Sequence, residues 1–189
     1  MLRPLAGSDF PAWREVRVRN EDWLVPWEPK RSASLPDPTR ERSAFEARCA
    51  ARDRERSADH AYPFGIFVDQ QLAGEINLNN VTRGALQGAT VGYWIDRDRA
   101  GRSYVSEALV VVMKFAFEQL QLHRLEICIV PRNTNSRRVV EKLAIRCEGV
   151  ATRYLEINGT WEDHLRYAIT AEEWAARSTE LSTTWIAGG

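Results

Sequence analysis

Apolar positions along the chain fall into stretches with helical spacing and stretches that alternate like strands. Pro11 to Arg19 follows Ser8-Asp9, a pair able to cap a helix, and sets Trp13, Val16 and Val18 among polar residues. Asn20 to Pro29 carries Trp23, Pro26, Trp27 and Pro29 and reads as an aromatic-rich loop rather than a regular element. Lys30 to Pro38 is interrupted by Ser and Pro and reads as a mobile segment. Arg40 to Arg56 is charged and helix-compatible, with Phe45 and Cys49 forming one thin apolar stripe.

The middle of the chain turns to strands. Phe64 to Val68 and Leu72 to Leu78 are joined at Asp69-Gln70-Gln71, which predicts a hairpin. Thr82-Arg83-Gly84 marks another turn, and Ala89 to Ile95 a third strand. The polar loop Asp96 to Ser103 then opens a long amphipathic helix whose inner face is Val105, Ala108, Leu109, Val112, Ala116 and Leu120. Arg124 to Val130 is a strand stopped by Pro131. Ser136 to Leu143 is a short helix, with Thr134, Asn135 or Ser136 as its cap and Val139, Val140 and Leu143 inward. Gly149 to Ile157 and Trp161 to Ile169 form a last strand pair hinged at Asn158-Gly159, a strong hairpin signal. After Ala171 the pattern predicts a helical turn and a tail frayed at Ala187-Gly188-Gly189. The reading is one α/β domain over residues 1–173 followed by a tail over 174–189.

Composition narrows the functional classes. Lys plus Arg and Asp plus Glu both count 26, so the formal charge is zero, unlike the basic balance of a general nucleic-acid binder. The three cysteines form no CxxC pair and are too scattered for a disulfide framework, and the three histidines have no metal-ligand spacing, so no metal is expected. The start Met1-Leu2-Arg3-Pro4 lacks a signal-peptide core, and the longest apolar run, Ala108 to Met113, is far below the roughly 20 residues of a membrane span. A cytoplasmic protein without nucleic-acid or membrane partners, monomer or homodimer, is the expectation.

Candidate chemistry centres on the loop before the long helix. A strand–loop–helix junction exposes unpaired backbone N–H groups at the positive end of the helix dipole, which suits a phosphate. Arg97, Arg99 and Arg102 add positive charge there; they could equally be solvated surface arginines.

Several segments together resemble the GCN5-related N-acetyltransferases (GNAT), and within them the RimJ/RimL-type ribosomal-protein alanine N-acetyltransferases. They are Gly92-Tyr93-Trp94-Ile95-Asp96, the loop through Ser106-Glu107-Ala108, His123-Arg124-Leu125-Glu126 and Pro131-Arg132-Asn133-Thr134-Asn135-Ser136. Glu141-Lys142-Leu143, Glu148-Gly149, Tyr154-Leu155, Asn158-Gly159, Trp161 and Asp163-His164 downstream, and Leu24 to Pro29 and Asn80 to Gly84 upstream, fit the same subgroup. The resemblance implies a mixed, mostly antiparallel sheet with helices on both sides and a parallel splay between Ala89–Ile95 and Arg124–Val130. It implies acetyl-CoA as co-substrate and a protein or peptide N-terminus as acceptor, a small amine being the alternative acceptor and a binder without turnover the alternative class.

The resemblance also implies site residues. Cofactor contacts fall on Tyr93, Trp94 and Ile95, on Arg97, Arg99, Ala100, Gly101, Arg102, Ser103, Tyr104, Val105 and Ser106, and on Asn133 and Ser136. Ala100, Ser103 and Val105 depart from the family's glycine-rich pyrophosphate pattern, leaving Gly101 as the permissive position. Ser136 is the candidate acid for the CoA sulfur, or else a helix cap; Asn133 faces the cofactor or ties its own loop. Glu126 is the candidate base, or else the partner of an arginine such as Arg124 or Arg153, with Glu75 the second candidate. Trp23, Trp27 and Glu28 could wall a peptide groove, and Asp163 and His164 could shape the acceptor site. Cys128 has no histidine partner in its neighbourhood and reads as an inert thiol.

Overall fold

The alternating stretches become seven strands: β1 (Leu2–Arg3), β2 (Tyr62–Val68), β3 (Gln71–Thr82), β4 (Gly88–Ile95), β5 (Arg124–Ile129), β6 (Arg146–Ile157) and β7 (Thr160–Thr170). They form one sheet in the order β1-β2-β3-β4-β5-β7-β6. Every adjacent pair is antiparallel except β4–β5. The protein's structure is a computed structural model, and it describes residues 1–32 and 34–186. Ala33, within the segment expected to be mobile, and Ala187 to Gly189, expected to fray, lie outside the described residues.

Two helical layers cover the sheet, as the amphipathic patterns predict. Ile76, Leu78, Val91, Leu125 and Ile127 bury one face in the main core together with α4 (Tyr104–Lys114), Val140 of α5 (Thr134–Lys142) and Trp174 and Leu181 of α6 (Ala171–Trp185). On the other side, Trp13 of α1 (Phe10–Arg19) and Phe45 and Cys49 of α3 (Arg42–Ser57) close over Phe67 and Leu72 in a second, smaller cluster. No helix among the described residues is long and apolar enough to cross a membrane.

Both predicted hairpins form. Asp69 (φ 49°) and Gln70 (φ 63°) make the first turn, and Asn158 (φ 47°) and Gly159 (φ 84°) the second. Two positive-φ residues in a row match the right-handed twist of the flanking strands. Four local expectations need correction. Asn20 to Pro29 is not irregular: it holds α2 (Glu21–Leu24) and a 3₁₀ turn over Val25–Trp27. Asp9 sits at the N-cap of α1 without capping it through its side chain, because its carboxylate is held by Arg3 at 2.7 and 2.8 Å. Val18 on α1 is exposed rather than inward.

The largest correction is at the C-terminal end. In place of a single turn, α6 runs for 15 residues behind a capping box of Thr170 and Glu173. Its Trp174 ring stacks on Phe117 at 5.9 Å, and Leu181 is 1% exposed. Truncating a leucine this deep costs about 2–5 kcal/mol. The segment after Glu173, as far as Trp185, is therefore part of the core.

Candidate active site

The parallel pair is short. β4 and β5 register only at Gly88, Ala89 and Thr90, opposite Arg124, Leu125 and Glu126. Beyond Thr90, β4 continues against β3 to Ile95, while β5 continues against β7 to Ile129. The sheet therefore opens into a V, and the edge of Val91–Ile95 faces a gap. A cavity of about 1440 Å³ occupies it.

One wall of the cavity is the loop after β4. Asp96, 1% exposed, anchors it: its carboxylate accepts from Arg19 and from Asn20 Nδ2 (2.8 Å), while Asn20 Oδ1 accepts from the N–H of Arg97 (2.9 Å). Burial alone would raise the Asp96 pKa, but the Arg19 and Asn20 hydrogen bonds outweigh it and hold the carboxylate below its ordinary range. The chain then turns through Gly101 (φ 77°) and Ser103 (φ 66°) into α4. Ser103 is the α4 N-cap residue, yet its side chain makes no capping bond; its hydroxyl accepts from Lys142 Nζ at 3.1 Å instead. The first-turn N–H groups of α4 are thus left without a side-chain acceptor, at the positive end of an 11-residue helix. Ala100, Gly101, Ser103, Tyr104, Val105 and Ser106 all line the cavity, as expected.

The arginines expected there behave differently. Arg99 reaches the wall, but its guanidinium donates to Gln71 at 2.6 Å. Arg97 lies over Trp23, 5.7 Å from the ring centroid, and Arg102 is exposed; neither lines the cavity. Arg138 and Lys142 of α5 supply the cations instead. Their four-residue spacing puts them on one helix face, a signal present in the sequence but eclipsed by the more conspicuous loop arginines.

Across the gap, Ser136 Oγ donates to Tyr93 Oη at 3.0 Å, and the phenol donates to the Ser136 carbonyl at 3.2 Å. The cap of α5 is Asn133, whose Oδ1 accepts from the Ser136 N–H at 3.1 Å, and not Thr134, Asn135 or Ser136. That spares the Ser136 hydroxyl from capping, so it lines the cavity beside Asn133 while donating to Tyr93. Burial pushes the Tyr93 phenol well above its usual range, offset only in part by Ser136, so it stays a neutral donor. Trp94 and Ile95 complete this edge, and the Ile95 carbonyl accepts from the Trp23 indole at 3.1 Å.

The opposite wall is the other face of the sheet. Glu75, Asn77 and Asn79 alternate on β3 with buried Ile76 and Leu78 and all three line the cavity. Glu75, the second candidate base, is 2% exposed, with its oxygens held by Trp13 Nε1 and Arg48 Nη2, both at 2.6 Å. Asn77 stands opposite Gly92, and its buried Oδ1 has no hydrogen-bond partner among the described residues. Sequence reasoning missed it; the polar alternation of Glu75, Asn77 and Asn79 between apolar Ile76 and Leu78 is the one available signal. Trp23, Trp27 and Glu28 line this wall as expected. Glu28, however, is held by both Arg17 nitrogens at 2.6 and 2.7 Å, so it is not free to receive an amine.

Three further expected residues are not brought into the cavity. Glu126 accepts from Arg124 (2.8 Å) and from Arg166 (2.8 and 2.9 Å). Burial would raise its pKa, but the two arginines hold it below the ordinary range, which is wrong for a base. The arginine-pair alternative is the observed one, with Arg166 rather than Arg153 as second partner. Asp163 Oδ1 accepts from the Arg153 N–H at 2.8 Å, pinning the β6–β7 pair. His164 is 2% exposed, with Nδ1 3.0 Å from the Glu162 carbonyl. Both side chains serve the hairpin. Cys128 also lies outside the cavity, and burial raises its thiol pKa, which disfavours a reactive thiolate.

Comparisons with known proteins follow this geometry. Residues 1–146 match the family model described as an acetyltransferase (GNAT) domain. The [Ribosomal protein uS5]-alanine N-acetyltransferase of Escherichia coli is 31% identical over 170 residues, 88% of this chain and 86% of that protein. The Bacillus subtilis protein named "Probable N-acetyltransferase YjcK" is 44% identical over 113 residues, 59% of this chain but only 62% of that protein. Among solved structures, Mycobacterium smegmatis RimJ in complex with CoA-disulfide superposes with a TM-score of 0.88 at 34% identity, covering 97% of this chain and 87% of that one. The ribosomal-protein-S5-alanine acetyltransferase of Vibrio fischeri gives 0.81 at 30% identity, covering 92% and 93%.

Proposed function

The chain belongs to the GNAT acetyltransferase family, and from that premise we propose that it transfers acetyl from acetyl-CoA to the N-terminal α-amine of a protein. The observation carrying this reading is the open V between β4 and β5, with a helix N-terminus on one side and an unpartnered asparagine on the other. RimJ-like relatives at 31–34% identity support the choice of a protein N-terminus.

The residues present fit acetyl-CoA. The uncapped N–H groups at the start of α4, with Lys142 and Arg138 beside them, suit a pyrophosphate. Acetyl-CoA supplies an activated thioester. The chain's own groups orient it and manage protons. Ser136 is the donor nearest a departing thiolate; its proton, given to the Tyr93 phenol oxygen in this structure, would turn to the sulfur. Backbone groups on the free edge of Val91–Ile95 are candidates to stabilise oxyanion charge. Asn77 Oδ1 can accept an N–H from the incoming amine and orient it across Gly92.

The two carboxylates first considered as bases, Glu126 and Glu75, are both held by arginines. Without a free carboxylate at the seam, the acceptor amine must shed its proton to water. An α-amine, with a pKa of about 7.7–8.0, does this near neutral pH far more readily than a lysine at about 10.4. That difference favours an N-terminus over a lysine side chain. The test is acetyl-CoA consumption against matched peptides with a free or blocked N-terminus, peptides with an internal lysine, and small amines. Turnover confined to free N-termini is the expected result; turnover on small amines alone would replace the acceptor assignment.

A further inference from the structure

The chain has no net charge, yet the acceptor wall of the cavity is basic. The part built from α1, α2, the 25–41 segment, α3 and β3 presents seven Lys and Arg side chains against four carboxylates, Glu21, Glu28, Asp37 and Glu75. Three of those carboxylates are already neutralised, by Arg17, by Arg31 and Arg40, and by Arg48. Arg14 and Lys30 have no carboxylate partner among the described residues; Arg14 donates to the Thr39 carbonyl at 3.0 Å. Arg52 pairs with Glu55, which does not face the cavity.

The unpaired charge of this basic track lies at its outer end. Arg14 and Lys30 are exposed, while Arg17 and Arg48 deeper in, with 18% and 25% of their side-chain surface exposed, are paired with Glu28 and Glu75. A compact amine bound near Asn77 and Trp94 would lie inside this outer charge, whereas an extended chain would pass along it. The cavity, at about 1440 Å³, also exceeds the roughly 300–1,000 Å³ of an ordinary ligand pocket, leaving room for a chain beside the cofactor.

We propose that the acceptor is a peptide N-terminus whose next few residues are acidic, steered into the cavity by this basic track. The inference rests on the N-terminal acetyltransferase reading and specifies its substrate. Unpaired positive charge at the outer end attracts carboxylates that follow the terminal residue and draws the chain in terminus first.

The experiment compares kcat/KM for three peptides that begin with Ala and continue with Asp, Ser or Lys at the next three positions, at low and at 0.5 M salt. The acidic peptide should exceed the neutral one by at least tenfold and the basic one by more, with the gap shrinking in salt as screening predicts. In the Arg14→Glu/Lys30→Glu variant the order should collapse or invert, while calorimetry still detects acetyl-CoA binding and so reports an intact fold. Equal or faster turnover of the neutral or basic peptide would overturn the acidic acceptor and leave N-terminal transfer standing. Turnover of small amines with no peptide of any charge would overturn the N-terminal reading itself, and this inference with it.

Discussion

The two walls of the cavity are built on different principles. The wall proposed for the cofactor is mostly backbone: a strand edge that has lost its neighbour, a left-handed turn and an uncapped helix start. The acceptor wall is mostly side chains, drawn from α1, the 25–41 segment, α3 and β3 and locked by Arg–carboxylate pairs. A ligand common to a whole family can be held by main-chain groups that tolerate sequence change. A ligand peculiar to one member has to be read by side chains. In the proposed reaction the two walls meet at the seam, where Tyr93 and Ser136 hydrogen-bond.

The seam gives the largest expected effect. Ser136→Ala should lower kcat by about 10²-fold or more, the usual loss for one positioned proton donor. Acetyl-CoA affinity should barely change, because Asn133 rather than Ser136 caps α5. Steady-state kinetics beside calorimetry separates the two; a weakened affinity with intact kcat would move Ser136 into the cofactor wall.

Asp96 joins the two walls, since it ties the phosphate loop to α1 through Arg19 and Asn20. Asp96→Asn should cost about 2 kcal/mol of stability, the scale of hydrogen bonds to a charged group. The pKa of Asp96 is lowered on folding, so its contribution is fully present above the unfolded value of about 3.9 and lost as pH falls through the folded one. The stability gap between wild type and variant, read by thermal melts, should therefore be constant from pH 5 to 7 and shrink below about pH 4. A gap that grows in acid would contradict the ion-pair account.

Ser103 isolates the cofactor wall. Its left-handed backbone is strained by about 1–2 kcal/mol for a residue bearing a Cβ. Ser103→Gly should relieve that strain and keep or tighten acetyl-CoA binding, while Ser103→Leu should weaken binding by about tenfold. Unchanged affinity in the leucine variant would displace the phosphate from this turn. The smallest effect belongs to Cys128→Ala, which should alter turnover less than about twofold, since the thiol is outside the cavity and the proposed transfer passes acetyl directly to the amine. Loss of activity in the folded variant, with a trapped acetyl-enzyme, would replace direct transfer by a covalent route.

What could be read from the sequence follows the same division. Strand alternation, the Asp69-Gln70 and Asn158-Gly159 turns and the strand–loop–helix junction are local signals, and the V with its phosphate turn follows from them and the family resemblance. Glu126 was open to two readings because its partner Arg166 is 40 residues away and only the β5–β7 register brings them together. The placement of Glu28 and Glu75 depended on Arg17 and Arg48 in the same non-local way. Asp163 and His164 matched a family motif, yet their side chains fasten a hairpin. The length of α6 was missed because a polar, Ser- and Thr-containing stretch shows a thin stripe, and only tertiary packing at Trp174 and Leu181 extends it.

Amide hydrogen exchange with and without acetyl-CoA tests the central claim most directly, that the cofactor is held by backbone at the opened seam. Saturating acetyl-CoA should protect the amides of Ser103 to Glu107 and of Gly92 to Ile95, with little change in β6 or in the acceptor-wall helix α3. Protection confined to the acceptor wall, or none at Ser103 to Glu107, would contradict it.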